Sequence, residues 1–285
     1  MADQIQQILV IGAGVMGRGI ALTMARAGLA VKLYDLQPEM LTQAQQYSES
    51  FLSKSVEKGK MTSMERQASL DRLHFIDQDD QWQADLVIEA VPERLDLKHL
   101  VLQKAAAQNG PHTILASNTS TLPITRIASA IEYPERVVGM HFFNPAPLMK
   151  LVEVIAGAAT SPEVVDATYQ LAEALGKQPV KAKDVPGFIV NRVARHFYLE
   201  SLRSLENGNV SPEILDRLMR SMGFRMGPFE LMDLIGVETN HSVTCSMFES
   251  FFYDEKFRPS RIQQQKVDAG HFGRKSGQGF YPYSK

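Results

Sequence analysis

Gly12-Ala13-Gly14-Val15-Met16-Gly17 is the stretch that decides the fold. An apolar run, Ile8-Leu9-Val10-Ile11, leads into it, and an amphipathic stretch from Arg18 to Ala27 follows. A second apolar run, Ala30-Val31-Lys32-Leu33-Tyr34, ends at Asp35. Glycines at this spacing also occur in ordinary turns. A strand before them, a helix after them and an acidic residue closing the next strand make a dinucleotide-binding fingerprint. Gly12 permits the tight turn, Gly14 lets the backbone approach a pyrophosphate, and Gly17 lets helix and strand pack closely. The helix start, with Val15 and Met16 just past Gly14, offers free N–H groups and partial positive charge to the phosphates. Asp35 would accept hydrogen bonds from a ribose with a free 2′-hydroxyl and repel a 2′-phosphate, and Leu36 supplies no compensating arginine. The expected cofactor is therefore NAD rather than NADP.

A length of 285 residues suits one large domain or two smaller ones, and 44% hydrophobic residues suffice for a sizeable core. A net charge of −2 gives no basic character that would point to nucleic acid. The single cysteine, Cys245, excludes an internal disulfide framework and a Cys-rich metal site, and fits a reducing compartment. The polar start, Met1 to Gln7, lacks the features of a secretory signal. No apolar run approaches the ~20 residues of a membrane span. A cytoplasmic location is expected, with no membrane partner.

After Asp35, Pro38-Glu39 opens a helix that runs to about Lys58. Lys54, Lys58 and Lys60 at its far end read either as a solvated end that complements the helix dipole or as a handle for a phosphorylated ligand. Strands are expected at Arg72–Ile76 and within Ala84–Val91. The second is nearly all apolar, as a strand buried on both faces should be. Glu89 and Glu93 punctuate its C-terminal end, the sheet edge where ligands bind in open α/β folds. A helix from Leu95 to Ala107, with Lys98 near its start, precedes a strand at Thr113–Ala116. Ser117-Asn118-Thr119-Ser120 at that strand's exit would either cap the next helix or line a crevice.

Val137–His141 is the next strand, followed by the rigid Phe142-Phe143-Asn144-Pro145-Ala146-Pro147 and a strand at Leu151–Ile155. Glu153 shares a face with Leu151 and Ile155, an odd place for a carboxylate without a partner. If the two strands fold back across the Pro-rich loop, His141 and Glu153 become neighbours. From Phe188 onward no convincing strand appears, and the texture changes at Asp184-Val185-Pro186-Gly187. The expected architecture is an α/β, Rossmann-type doubly wound sheet over residues 1–185 and an all-helical domain over 186–285. Hydride transfer to NAD needs a nearby proton acceptor, and His141 oriented by Glu153 fits that role, with Ser120 and an asparagine holding the substrate oxygen. The residues alone thus specify an NAD-dependent dehydrogenase of an unspecified secondary alcohol.

With those residues in view, the chain resembles the L-3-hydroxyacyl-CoA dehydrogenase family, particularly its short bacterial 3-hydroxybutyryl-CoA members. The resemblance rests on the glycine loop, Ser117–Ser120 and His141-Phe142-Phe143-Asn144-Pro145. It extends through Asp184-Val185-Pro186-Gly187-Phe188-Ile189-Val190-Asn191-Arg192 and Gly227-Pro228-Phe229-Glu230-Leu231. It implies reversible NAD-dependent oxidation of an (S)-3-hydroxyacyl-CoA. His141 would be the base, Glu153 its electrostatic partner, and Ser120 and Asn191 would position the 3-oxygen and the thioester end. It also implies that Asp35, Glu93, Lys98 and Asn118 surround NAD, that Lys54 and Lys58 contact coenzyme A, and that the helical domain forms a homodimer. Two other readings use the same scaffold: a dehydrogenase of a non-CoA substrate such as a sugar acid, and a non-catalytic NADH-binding protein.

Overall fold

The computed structural model of the protein describes residues 5–208 and 210–284. It divides into two compact units that meet in sequence between Asp184 and Val185.

The first unit is built on an eight-stranded sheet. Its strands are β1 (Gln7–Ile11), β2 (Ala30–Tyr34), β3 (Leu73–Ile76), β4 (Leu86–Glu89), β5 (Ile114–Ser117), β6 (Val137–Phe142), β7 (Leu151–Ala156) and β8 (Gln178–Lys183), in the order β3-β2-β1-β4-β5-β6-β7-β8. The run from β3 to β6 is parallel, and its strand order reverses between β1 and β4. That switch point is where doubly wound sheets bind ligands, outside the carboxyl ends of the strands. Strands β4, β5 and β6 are buried along their whole length, which explains their continuous apolar sequences.

The sheet turns antiparallel once, between β6 and β7, and that pairing sets His141 directly opposite Glu153. Strand β8 then pairs with β7 in parallel, so β7 is an interior strand. Burial of Glu153 on a central strand follows from this extra pairing.

The helices of this unit are α1 (Val15–Arg26), α2 (Pro38–Glu57), α3 (Ser63–Asp71), α4 (Leu95–Gln108), α5 (Ile124–Ala128) and α6 (Pro162–Ala174). Residues Gly19 to Ala25 of α1 are all buried, as in a helix pressed onto the sheet. The hydrophobic pattern does not mark α3, whose signal lies at its start. The Thr62 hydroxyl accepts from Glu65 N, and the Glu65 carboxylate accepts from Thr62 N in return. This reciprocal cap satisfies two of the donors that a helix start leaves unpaired.

The second unit is helical: α7 (Val190–Glu206), α8 (Pro212–Ser221), α9 (Pro228–Ile235), α10 (Val237–Ser250) and α11 (Arg261–Asp268). Tyr198, Leu202, Leu215, Phe229 and Met232 form its core. Two buried aspartates tie in the C-terminal segment. Asp216 accepts from Phe229 N, Glu230 N and the Tyr281 hydroxyl, and Asp233 accepts from Phe280 N, Tyr281 N and the Tyr283 hydroxyl.

Thr62→Ala removes half of the α3 cap and should destabilise the protein by about 1 kcal/mol. A melting curve should move down by about 2–4 °C with no loss of turnover. An unchanged midpoint would show that α3 does not depend on its cap.

Candidate active site

The glycine loop leaves β1 with Gly12 at φ +103°, a region that disfavours side chains, and Gly12 N donates to Tyr34 O. A Cβ on Gly12 would stand 2.7 Å from Ala90 O, and one on Gly17 would stand 1.7 Å from Gly12 O. Both glycines are therefore demanded by the close approach of β1, β4 and α1. Gly14 differs. It is the N-cap of α1 with no side-chain cap, its backbone is ordinary for any residue, and a Cβ there would meet no protein atom within 4 Å. The space above Gly14 is left open by the protein, as a phosphate cradle requires. A cavity of about 760 Å³ adjoins it, with Val15, Asp35, Leu36, Val91 and Leu100 among its lining. That volume lies within the range of small-molecule sites.

Asp35 holds this loop as well as facing the cavity. Its Oδ2 accepts from Ala13 N at 2.7 Å and its Oδ1 from Gln37 N at 2.9 Å. Each oxygen keeps a lone pair for a further donor, so the bracing is compatible with a ribose contact. The donors of the free helix start, the open space over Gly14 and the Asp35 carboxylate together fit a dinucleotide.

A second set of polar groups gathers at the ends of β5 and β6. His141 is 4% exposed and Glu153 has no exposed surface. His141 Nδ1 lies 2.7 Å from Glu153 Oε2, and His141 Nε2 lies 3.2 Å from Ser120 Oγ. A carboxylate only accepts, so the ring proton sits on Nδ1 and leaves Nε2 as a proton acceptor. The Phe143 ring packs 4.5 Å from the imidazole.

The side chains of Ser117-Asn118-Thr119-Ser120 are all hydrogen-bonded at the ends of the neighbouring strands. Asn118 Oδ1 accepts from Phe142 N at 2.8 Å and fixes the end of β6. Ser117 Oγ donates to Glu89 at 2.5 Å, and Thr119 Oγ1 donates to Glu93 at 2.6 Å. The cap of α5 comes from elsewhere: Asp184 accepts from Ile124 N and Thr125 N. The α5 cap is thus supplied by Asp184, and the Ser117 and Thr119 hydroxyls are spent on the carboxylates of Glu89 and Glu93.

Glu93 and Lys98 are brought together with a residue that the sequence shows only as strand punctuation. Lys98 Nζ, on a side chain 1% exposed, lies 2.8 and 3.0 Å from the Glu89 carboxylate oxygens and 3.2 Å from Glu93 Oε2. Burial pushes the Glu89 carboxyl above its usual range against the opposing pull of Lys98, Ser117 and Val91 N. Burial raises Glu93 too, but Lys98 and the donors at Thr119, Thr121 and Ser120 outweigh it and hold its carboxyl below the usual range. A charged residue inside an otherwise apolar, two-sided buried strand was the signal that Glu89 needed a partner.

Lys54 and Lys58 are exposed at the C-terminal end of α2, as is Lys60. Asn191 is half-buried in the first turn of α7, in the second unit. Among the described residues no cluster of three or more His, Cys, Asp or Glu could hold a metal ion, and no helix is long and apolar enough to cross a membrane.

Comparison with known proteins matches residues 7–185 to the model of the 3-hydroxyacyl-CoA dehydrogenase NAD-binding domain and residues 187–283 to that of the 3-hydroxyacyl-CoA dehydrogenase C-terminal domain. The chain is 42% identical over 284 residues to a probable 3-hydroxybutyryl-CoA dehydrogenase of Bacillus subtilis, covering 99% of each. It is 47% identical over 285 residues to 3-hydroxyadipyl-CoA dehydrogenase of Escherichia coli, covering 99% of this chain but 60% of that longer protein. The crystal structure of (S)-3-hydroxybutyryl-CoA dehydrogenase from Ralstonia eutropha superimposes with a TM-score of 0.94 at 37% identity, over 99% of this chain and 100% of that one.

Gly14→Ala separates a structural glycine from a ligand-facing one. The added methyl meets no protein atom, so the melting temperature should stay within about 2 °C. The dissociation constant for NADH should nevertheless rise about tenfold or more, as the backbone loses its close approach to phosphate. Wild-type NADH affinity, read by fluorescence titration, would show that the loop is not the phosphate cradle.

Proposed function

Because this chain belongs to the 3-hydroxyacyl-CoA dehydrogenase family and carries that family's NAD-binding domain, we propose that it oxidises the 3-hydroxyl of (S)-3-hydroxyacyl-CoA, with 3-hydroxybutyryl-CoA as the natural test substrate, to 3-oxoacyl-CoA. The observation that carries this reading is the line Ser120 Oγ–His141 Nε2, His141 Nδ1–Glu153 Oε2. NAD, when bound, supplies the hydride acceptor. His141 takes the hydroxyl proton at Nε2, and Glu153 stabilises the imidazolium that forms, as the carboxylate does in a Ser-His-Asp triad. The Ser120 hydroxyl, within hydrogen-bond reach of the same nitrogen, holds the 3-oxygen. Asn191 takes the thioester end on the strength of the Pro186-Gly187-Phe188-Ile189-Val190-Asn191-Arg192 motif. In the reverse direction His141 returns the proton to the 3-oxygen, so one set of residues serves reduction as well.

The coenzyme A portion is assigned to the lysines at the end of α2. Lys54 and Lys58 place two exposed positive charges within one turn, matched to phosphate groups rather than to an acyl chain. Homodimerisation is assigned to the helical unit. Ile214, Leu218 and Met222 recur every four residues through α8 and its C-terminal cap, and 47%, 50% and 66% of their surfaces are exposed. That is an exposed apolar stripe running beside the buried Leu215.

Three measurements check these assignments. His141→Gln should lower kcat by about 10²–10⁴ with NADH binding little changed, and near-wild-type turnover would remove His141 from the mechanism. Lys54→Ala combined with Lys58→Ala should raise KM for acetoacetyl-CoA by about three- to tenfold at constant kcat, yet leave acetoacetyl-pantetheine unaffected. Equal effects on both substrates would place coenzyme A elsewhere. Leu218→Glu should turn a dimer into a monomer in sedimentation equilibrium, and a wild-type enzyme already monomeric at micromolar concentration would contradict the assembly.

A further inference from the structure

Glu89 is buried as deeply as Glu153, and the proton transfer described above makes no use of it. Its carboxylate is fully engaged. It accepts from Val91 N at 2.7 Å, from Ser117 Oγ at 2.5 Å, and from Lys98 Nζ at 2.8 and 3.0 Å. Ser117 stands opposite Glu89 in the β4–β5 register, so the sheet itself fixes this group. Lys98 passes the constraint on, because the same ammonium lies 3.2 Å from Glu93 Oε2. The other oxygen of Glu93 collects the next turn of chain. Oε1 accepts from Thr119 Oγ1 at 2.6 Å, Ser120 N at 2.9 Å, Thr121 N at 3.0 Å and Thr121 Oγ1 at 3.2 Å. Ser120 Oγ then reaches His141 Nε2.

We propose that Glu89 is a positioning residue for Ser120: through Lys98 and Glu93 it holds the 119–121 turn so that the Ser120 hydroxyl stays in register with His141. The inference rests on the roles given to Ser120 and His141 above. The physical need is specific. A turn of small polar residues has backbone freedom, and a displacement of about 1 Å at a reacting group can cost about 10²-fold in rate. Glu93 alone cannot supply the constraint, since its anchor is an ammonium on a flexible stem. Two hydrogen bonds to the immobile Glu89 carboxylate remove that freedom. Two carboxylates around one ammonium also leave Lys98 no reason to swing toward solvent, because leaving would abandon a buried negative charge.

The test is a double-mutant cycle in the full-length enzyme, using acetoacetyl-CoA and NADH. Glu89→Gln should lower kcat about tenfold while KM for acetoacetyl-CoA changes by less than about threefold. In a Ser120→Ala background the same substitution should change kcat by less than about twofold, because the group it positions is gone. An equal factor in both backgrounds would overturn the inference and leave Glu89 a purely structural residue. A Ser120→Ala enzyme with wild-type kcat would instead overturn the role of Ser120 itself. If Glu89→Gln fails to fold, Ser117→Ala carries the same cycle, since it removes one hydrogen bond from Glu89 and no charge. Non-additivity with Ser120→Ala supports the relay, and additivity overturns it.

Discussion

A carboxylate with no exposed surface, Glu153, lies on an interior strand 2.7 Å from an imidazole nitrogen, and the orientation of the catalytic candidate His141 follows from accommodating it. An ionised carboxylate in such a place is tolerated only with a hydrogen-bonding partner, and removing one member of a buried pair commonly costs about 3–5 kcal/mol. The antiparallel β6–β7 pairing provides that partner by register alone. The cost of burying Glu153 and the orientation of His141 are thus one fact. The imidazole is held by the carboxylate at Nδ1, and Nε2 faces the Ser120 hydroxyl.

The same economy recurs at the carboxyl end of β1, in the middle of the parallel run. Gly12 and Gly17 exist because Ala90 O and Gly12 O occupy the places their side chains would take. Gly14 exists for the opposite reason, since nothing of the protein fills its side. Asp35 braces the loop through Ala13 N and still presents lone pairs to a ligand. Glu89, Lys98 and Glu93 connect these two regions, for they sit at and just after the end of β4, where the glycine loop packs, and reach the turn that carries Ser120. Buried charge here is arranged as a set of fixed distances leading to the turn that carries Ser120.

Much of this is legible in the chain because it is local. The glycine loop, the apolar runs of β1, β4 and β6 and the change of texture near Asp184 are all short-range patterns. The His141–Glu153 contact is legible too, since a charged residue among apolar neighbours asks for a partner and the adjacent strand offers one. Other features lie beyond local pattern. The α3 helix has little apolar stripe and is announced only by Thr62 and Glu65. Glu89 reads as the end of a strand, and its bonds to Lys98 and Ser117 span 9 and 28 residues. That the α5 cap does not come from Ser117–Ser120 depends on Asp184, some 60 residues away, taking it over. Such contacts are set by the order of strands in the sheet, which no window of sequence displays.

The most direct test of the account compares initial rates of NADH oxidation by the purified protein with acetoacetyl-CoA and with free acetoacetate, and of NAD+ reduction with sugar acids of the gulonate type. A 3-hydroxyacyl-CoA dehydrogenase should give kcat/KM for acetoacetyl-CoA higher than for either alternative by about three orders of magnitude or more, the scale of discrimination available when binding energy from a remote handle is used at the reacting centre. Comparable turnover of a substrate lacking coenzyme A, or no NADH oxidation with any 3-oxoacyl-CoA, would contradict it.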